Sequence, residues 1–154
     1  MENQLKYIMA NLSESFDGRP WYGISVMEKL DSIDWLKINA KTYGSKSIAV
    51  LVRHIINWRI FCLKKLEGDM EYDIEIDGQN DWPEVHIDNQ QEWEELKAEL
   101  RHTQEKLLRK LSEQTDDLLL EKVPGKSYSF GPMLNGIAQH DIYHLGQIAM
   151  LKAI

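Results

Sequence analysis

The chain has a single cysteine, Cys62, so no intrachain disulfide can form and a reducing cytoplasm is its simplest home. It also lacks any apolar run near the ~20 residues that span a bilayer, so no membrane association is expected. Its opening, Met1-Glu2-Asn3-Gln4, has no basic stretch followed by an apolar one, and no secretory leader is expected. Basic residues are in deficit: 18 Lys and Arg stand against 25 acids, for a net charge of −7. They gather into no stripe, which argues against a phosphate-backbone binder and hence against nucleic acid as a partner. Familiar catalytic signatures are missing too. Gly125-Lys126-Ser127 echoes the end of a phosphate loop, but Leu120 stands where the first glycine belongs. Asp77-Gly78-Gln79-Asn80-Asp81 hints at a calcium loop, yet Trp82 fills its glycine position. There is no Gly-x-Ser-x-Gly elbow.

What remains is a 154-residue chain with 43% apolar and 28% charged residues, enough for one compact domain with a solvated surface. A first helix is predicted over about residues 2–15, broken at Phe16-Asp17-Gly18-Arg19-Pro20. A short helical piece follows from Trp21 to Asp31. The strongest helix runs from Ser47 to Leu66, with Ile48, Leu51, Val52, Ile55, Ile56, Ile60 and Leu63 at the spacing of a packed face. Residues 67–88 differ in kind, with nine acids and no Lys or Arg. There Met70, Tyr72, Ile74 and Ile76 alternate with acids, which predicts an extended, solvated crossing with one short strand. A long helix spans Asn89 to Gln114, capped by Asp88 with Gln91 at the reciprocal position. Pro124-Gly125 ends a further short turn of helix. The last helix begins near Gly131-Pro132 and reaches Lys152. Four substantial helices with one long crossing predict an all-α four-helix bundle as a single domain.

The most informative stretch lies in that last helix. Leu134, Ile137, His140, Asp141, His144, Leu145 and Ile148 share one face, so His140 and His144 point into the bundle. Residues four apart on a helix are surface neighbours, and both imidazoles can reach one metal ion. An apolar interior is a costly place for two imidazoles unless something satisfies their nitrogens. A third ligand is needed from another helix. His54, beside Leu51 and Ile55 at a similar depth, is the best candidate. A lone buried histidine is ordinarily a satisfied core residue, and a metal-free core stays open as the alternative. Asp141 takes the slot after His140, either as a weak analogue of the glutamate in a His-Glu-x-x-His motif or as an acceptor for an imidazole N–H. His86 and His102 are read as solvent-facing, and Cys62 as a small buried hydrophobe.

His54 on a mid-chain helix, a "WYGIS" segment before it, a tryptophan soon after it and the closing "GIAQHDIYHLGQIAMLK" together resemble the DinB-like (DinB/YfiT) superfamily. The similarity extends over the whole chain. It implies a four-helix bundle of DinB/YfiT-like type with a metal, commonly nickel or zinc, held by His54, His140 and His144. It also implies a homodimer, and an activity among thiol-dependent transferases or metal-dependent hydrolases.

By ligand type alone, three imidazoles suit Zn, Ni, Fe or Cu, and three protein ligands leave a coordination position open for chemistry. Water or a low-molecular-weight thiol cosubstrate activated there would attack a small electrophilic substrate. Tyr143 and Gln147 flank the ligands as candidates for orienting that substrate, against a plain packing role, and Trp58 is read as a core or interface tryptophan with a pocket wall as the alternative. The rival class is a non-catalytic, stress-linked metal-binding bundle.

Overall fold

The computed structural model describes residues 3–41 and 46–152. It contains α1 (Gln4–Asp17), α2 (Val26–Asp31), α3 (Ile48–Leu66), α4 (Gln90–Ser112) and α5 (Phe130–Lys152), with short 3-10 turns at Trp35–Lys37 and Asp116–Leu120. Each boundary has a local cause. The Ser47 hydroxyl accepts from the Val50 N–H and opens α3. Asn89 accepts from the Glu92 N–H while the Glu92 carboxylate reaches back to the Asp88 N–H at 2.8 Å, so α4 begins with a reciprocal box like the capping box, returned to the residue before the cap. That box lies one residue beyond the expected Asp88 and Gln91; Gln91 donates its amide N–H to Glu95. The start of α1 is capped from far away in sequence: the Asp116 carboxylate accepts the N–H groups of Asn3, Gln4 and Leu5, each at 3.0 Å. These bonds hold its pKa below the usual carboxylate value.

Three expectations are corrected. The helical piece expected from Trp21 is confined to Val26–Asp31, because Gly23 turns at φ 137° and Ser25 then caps. The acidic crossing contains no strand. Its alternation has no partner chain: Ile74 is buried but Met70 and Ile76 are exposed, and Asn80 folds the segment on itself by bonding the Glu75 N–H and the Asp73 carbonyl. Pro124-Gly125 lies in a turn closed by an isolated bridge between Lys122 and Ser129, not at the end of a helix. Gly125 is required there: its φ is +75°, and a Cβ would sit 2.7 Å from the Met70 carbonyl oxygen.

The core falls into two apolar halves. One holds Phe16, Val26, Leu30, Ile55, Trp93 and Leu145; the other holds Leu5, Leu12, Phe61, Leu107, Leu134 and Ile137. Because α3 and α4 begin in the first half while α1 and α5 begin in the second, the first pair runs opposite to the second. Parallel α3 and α4 need a connection that returns along the bundle, and the acidic segment supplies it. It leaves Ile74 in one half of the core and reaches Ile87 in the other. Between the halves lies a polar layer: Arg59 pairs with Asp141, and Gln104 bonds both Arg59 and the Leu12 carbonyl. The site lies beside this layer.

Candidate metal centre

His54 stands on α3 one turn before Trp58, and His140 and His144 lie on successive turns of α5. Antiparallel packing of these two helices brings the three rings together. His140 Nε2 is 2.9 Å from His54 Nε2 and 3.0 Å from His144 Nε2. Hydrogen bonds on the far side of two rings fix their tautomers. His54 Nδ1 faces the Asp81 carbonyl at 2.8 Å and the Asp81 carboxylate at 3.0 Å, both acceptors, so Nδ1 carries the proton. His144 Nδ1 donates to Gln147 Oε1 at 2.6 Å. Both Nε2 atoms therefore present lone pairs toward His140, whose single ring N–H can satisfy only one of them. Converging lone pairs repel, and a cation is what resolves such an arrangement. His140 Nδ1 is buried without a hydrogen-bond partner. The donor set thus fits a divalent metal ion of the kind that imidazoles hold.

The environment keeps the rings neutral, as ligation demands. Burial lowers the pKa of all three histidines from 6.5, and for His140, with His144 and His54 as further repelling neighbours, the value falls to about 3. In the metal-free protein, a folded-state pKa below the unfolded one means that the unfolded chain binds more protons as pH drops. The stability held above pH 6.5 should therefore decline on acidification toward pH 3. Each such histidine contributes a slope of up to about 1.4 kcal/mol per pH unit. Denaturant titrations across this range should show that decline, and His140→Gln should flatten it.

The site is walled from the crossing. Trp82 stacks on His54 with ring centroids 3.7 Å apart and planes within 1°. The Asp81 carboxylate also accepts from Trp58 Nε1 at 2.8 Å and from the Asp77 N–H at 2.9 Å. A cavity of about 590 Å³ opens beside His54 and His140 between α3 and α5, with Trp58, Phe61, Met133 and Ile137 among its lining residues.

A model of the DinB superfamily matches residues 24–148. The chain belongs to the DinB superfamily. No curated protein and no solved structure gives a significant match. The DinB match runs from just before α2 almost to the end of α5 and takes in all three histidines. Among the described residues of this DinB-superfamily chain, no helix is long and apolar enough to cross a membrane.

The other sequence expectations sort as follows. Trp58 lines the cavity. Gln147 bonds His144, and Tyr143, 66% exposed, packs edge-on against the same ring; both stand outside the cavity lining. Cys62 is fully buried, and burial pushes its thiol up to about 12, so it remains protonated. His86 and His102 face solvent. Asp141 is not an imidazole acceptor, because both its oxygens are taken by Arg59. That role belongs to Asp81, placed by the sequence reading in a solvated acidic run, together with its neighbour Trp82. The one signal for them was an apolar Trp82-Pro83 pair set among acids.

Proposed function

We propose that this protein is a metal-dependent enzyme, a thiol-dependent S-transferase or a hydrolase of small electrophilic substrates. One observation carries the reading: two of the three clustered imidazoles, His54 and His140, border a substrate-sized cavity. His54, His140 and His144 would hold the ion. A divalent metal, nickel or zinc, would supply Lewis acidity and lower the pKa of the water or low-molecular-weight thiol that serves as nucleophile.

The chain's own residues do the rest. Asp81 and Gln147 hold His54 and His144 with their Nε2 lone pairs facing inward. Trp58 and Trp82 screen the imidazoles from water, while Tyr143 flanks His144 on the solvent side, outside the cavity. Cys62, buried and protonated, leaves the nucleophile to come from outside the chain. We take the protein to act as a homodimer, for which exposed Trp21, Leu36 and Leu120 supply apolar surface.

The test is turnover by zinc- or nickel-loaded protein on a panel of small electrophiles, with and without a low-molecular-weight thiol. Product formation should fall at least about a hundredfold on chelation and in His140→Ala. Fully loaded protein that turns over nothing in either series would favour the non-catalytic metal-binding bundle.

A further inference from the structure

We infer that the cavity takes a neutral, elongated apolar small molecule, and that Gly136 is the residue that makes room for it. This rests on the enzyme reading for the identity of the site. The cavity follows the groove between two antiparallel helices: His54, Trp58 and Phe61 line it from α3, and His140, Gly136 and Met133 from α5. From His140 to Met133 the helix rises roughly 10 Å, which sets the length of a molecule whose reactive end lies at the imidazoles.

Apart from an ion held at the imidazoles, the lining has no charge to offer a ligand. Its one carboxylate, Asp81, already accepts from His54, Trp58 and Asp77. Among the described residues, no Lys or Arg borders the cavity. The two lysines near Phe61 are engaged elsewhere, Lys65 with the Asp69 and Met70 carbonyls and Lys126 with Asp73. Beyond the imidazoles, the other lining groups are aromatic, aliphatic or the buried thiol of Cys62. A charged ligand body would enter a weakly polar lining without a partner.

Gly136 carries the second argument. It lies four residues before His140 on the same face of α5. A glycine inside a helix disfavours that helix relative to alanine, so something should require it. Backbone conformation does not, since Gly136 is absent from the positive-φ glycines. Packing does not either: a Cβ there would meet no atom within 4 Å, whereas one at Gly131 would lie 3.1 Å from the Leu119 carbonyl oxygen. The space over Gly136 belongs to the cavity, and a side chain there would fill it.

The test uses a matched pair of fluorescent probes, neutral N-phenylnaphthylamine and its sulfonated analogue anilinonaphthalene sulfonate, on metal-free and metal-loaded protein. The neutral probe should bind at one saturable site, at least about tenfold more tightly than the sulfonated one. Gly136→Leu should weaken it by about tenfold or more while keeping the metal content and a melting temperature no lower than native. Gly136→Ala should raise the melting temperature. Equal or tighter binding of the sulfonated probe, unchanged binding in Gly136→Leu, or melting of both variants below native would overturn the inference. Because metal content is measured on the same samples, the outcomes separate. Probe binding without metal loading leaves the cavity assignment standing and sinks the enzyme reading, and metal loading without probe binding does the reverse.

Discussion

Asp141→Asn is expected to cost the fold about 3–5 kcal/mol, the range for breaking a buried ion pair from one side. Arg59 and Asp141 are both fully buried and meet through two parallel bonds, of 2.7 and 2.5 Å. An amide in place of the carboxylate would leave the guanidinium charge uncompensated and set N–H against N–H at one contact. The guanidinium Nε–H goes to Gln104, which in turn bonds the Leu12 carbonyl, so one layer joins α3, α5, α4 and α1. Replacing both charges, as in Arg59→Met with Asp141→Leu, should recover most of the loss, because an apolar pair bears no desolvation penalty. Denaturant unfolding of the two singles and the double closes the cycle. A loss under about 1 kcal/mol for Asp141→Asn would mean that the layer does not hold the bundle together. The consequence for function is positional. Arg59 follows Trp58 and Asp141 follows His140, so this pair fixes the register of α3 against α5 at the level of the imidazoles.

The second large effect is expected at Asp81. Asp81→Ala removes the acceptor for Trp58 Nε1 and the Asp77 N–H and one of two acceptors for His54 Nδ1. The donors left unsatisfied should lower stability by about 2–4 kcal/mol. Metal affinity should fall by about 10–100-fold, the usual cost of losing a group that orients a ligating histidine. Asp81→Asn keeps an acceptor for the tryptophan but turns an amide toward the Asp77 N–H, so its losses should be intermediate. Competition titration with a chromogenic chelator and denaturant unfolding would check both. Native metal affinity in Asp81→Ala would show that His54 is oriented by the Asp81 carbonyl alone, which accepts from the same nitrogen at 2.8 Å.

These two carboxylates also mark the limit of what the sequence revealed. Helical periodicity located α3, α4 and α5 to within a few residues, since their apolar faces repeat over many turns. The same periodicity turned His140 and His144 inward, and their convergence with His54 followed from depth along neighbouring helices. What spacing could not show is which polar group meets which across the bundle. Asp141, next to a histidine in sequence, points instead at Arg59 on α3. Asp81 looked like its eight solvated companions in the crossing, because burial of one acid in nine depends on where the loop is pinned. Asn80 and Trp82, through side-chain bonds and ring stacking, do that pinning. The long-range cap of α1 by Asp116 was equally invisible, as it joins residues more than 110 positions apart.

The central claim is that His54, His140 and His144 form a metal site. Its most direct test is the metal-to-protein ratio, by elemental mass spectrometry, of native protein and His144→Ala purified without chelator or metal-affinity resin. The account predicts about one divalent ion per native chain and near-complete loss in the variant. Native protein that stays metal-free after incubation with zinc and with nickel, or a His144→Ala variant that loads like native, would contradict it.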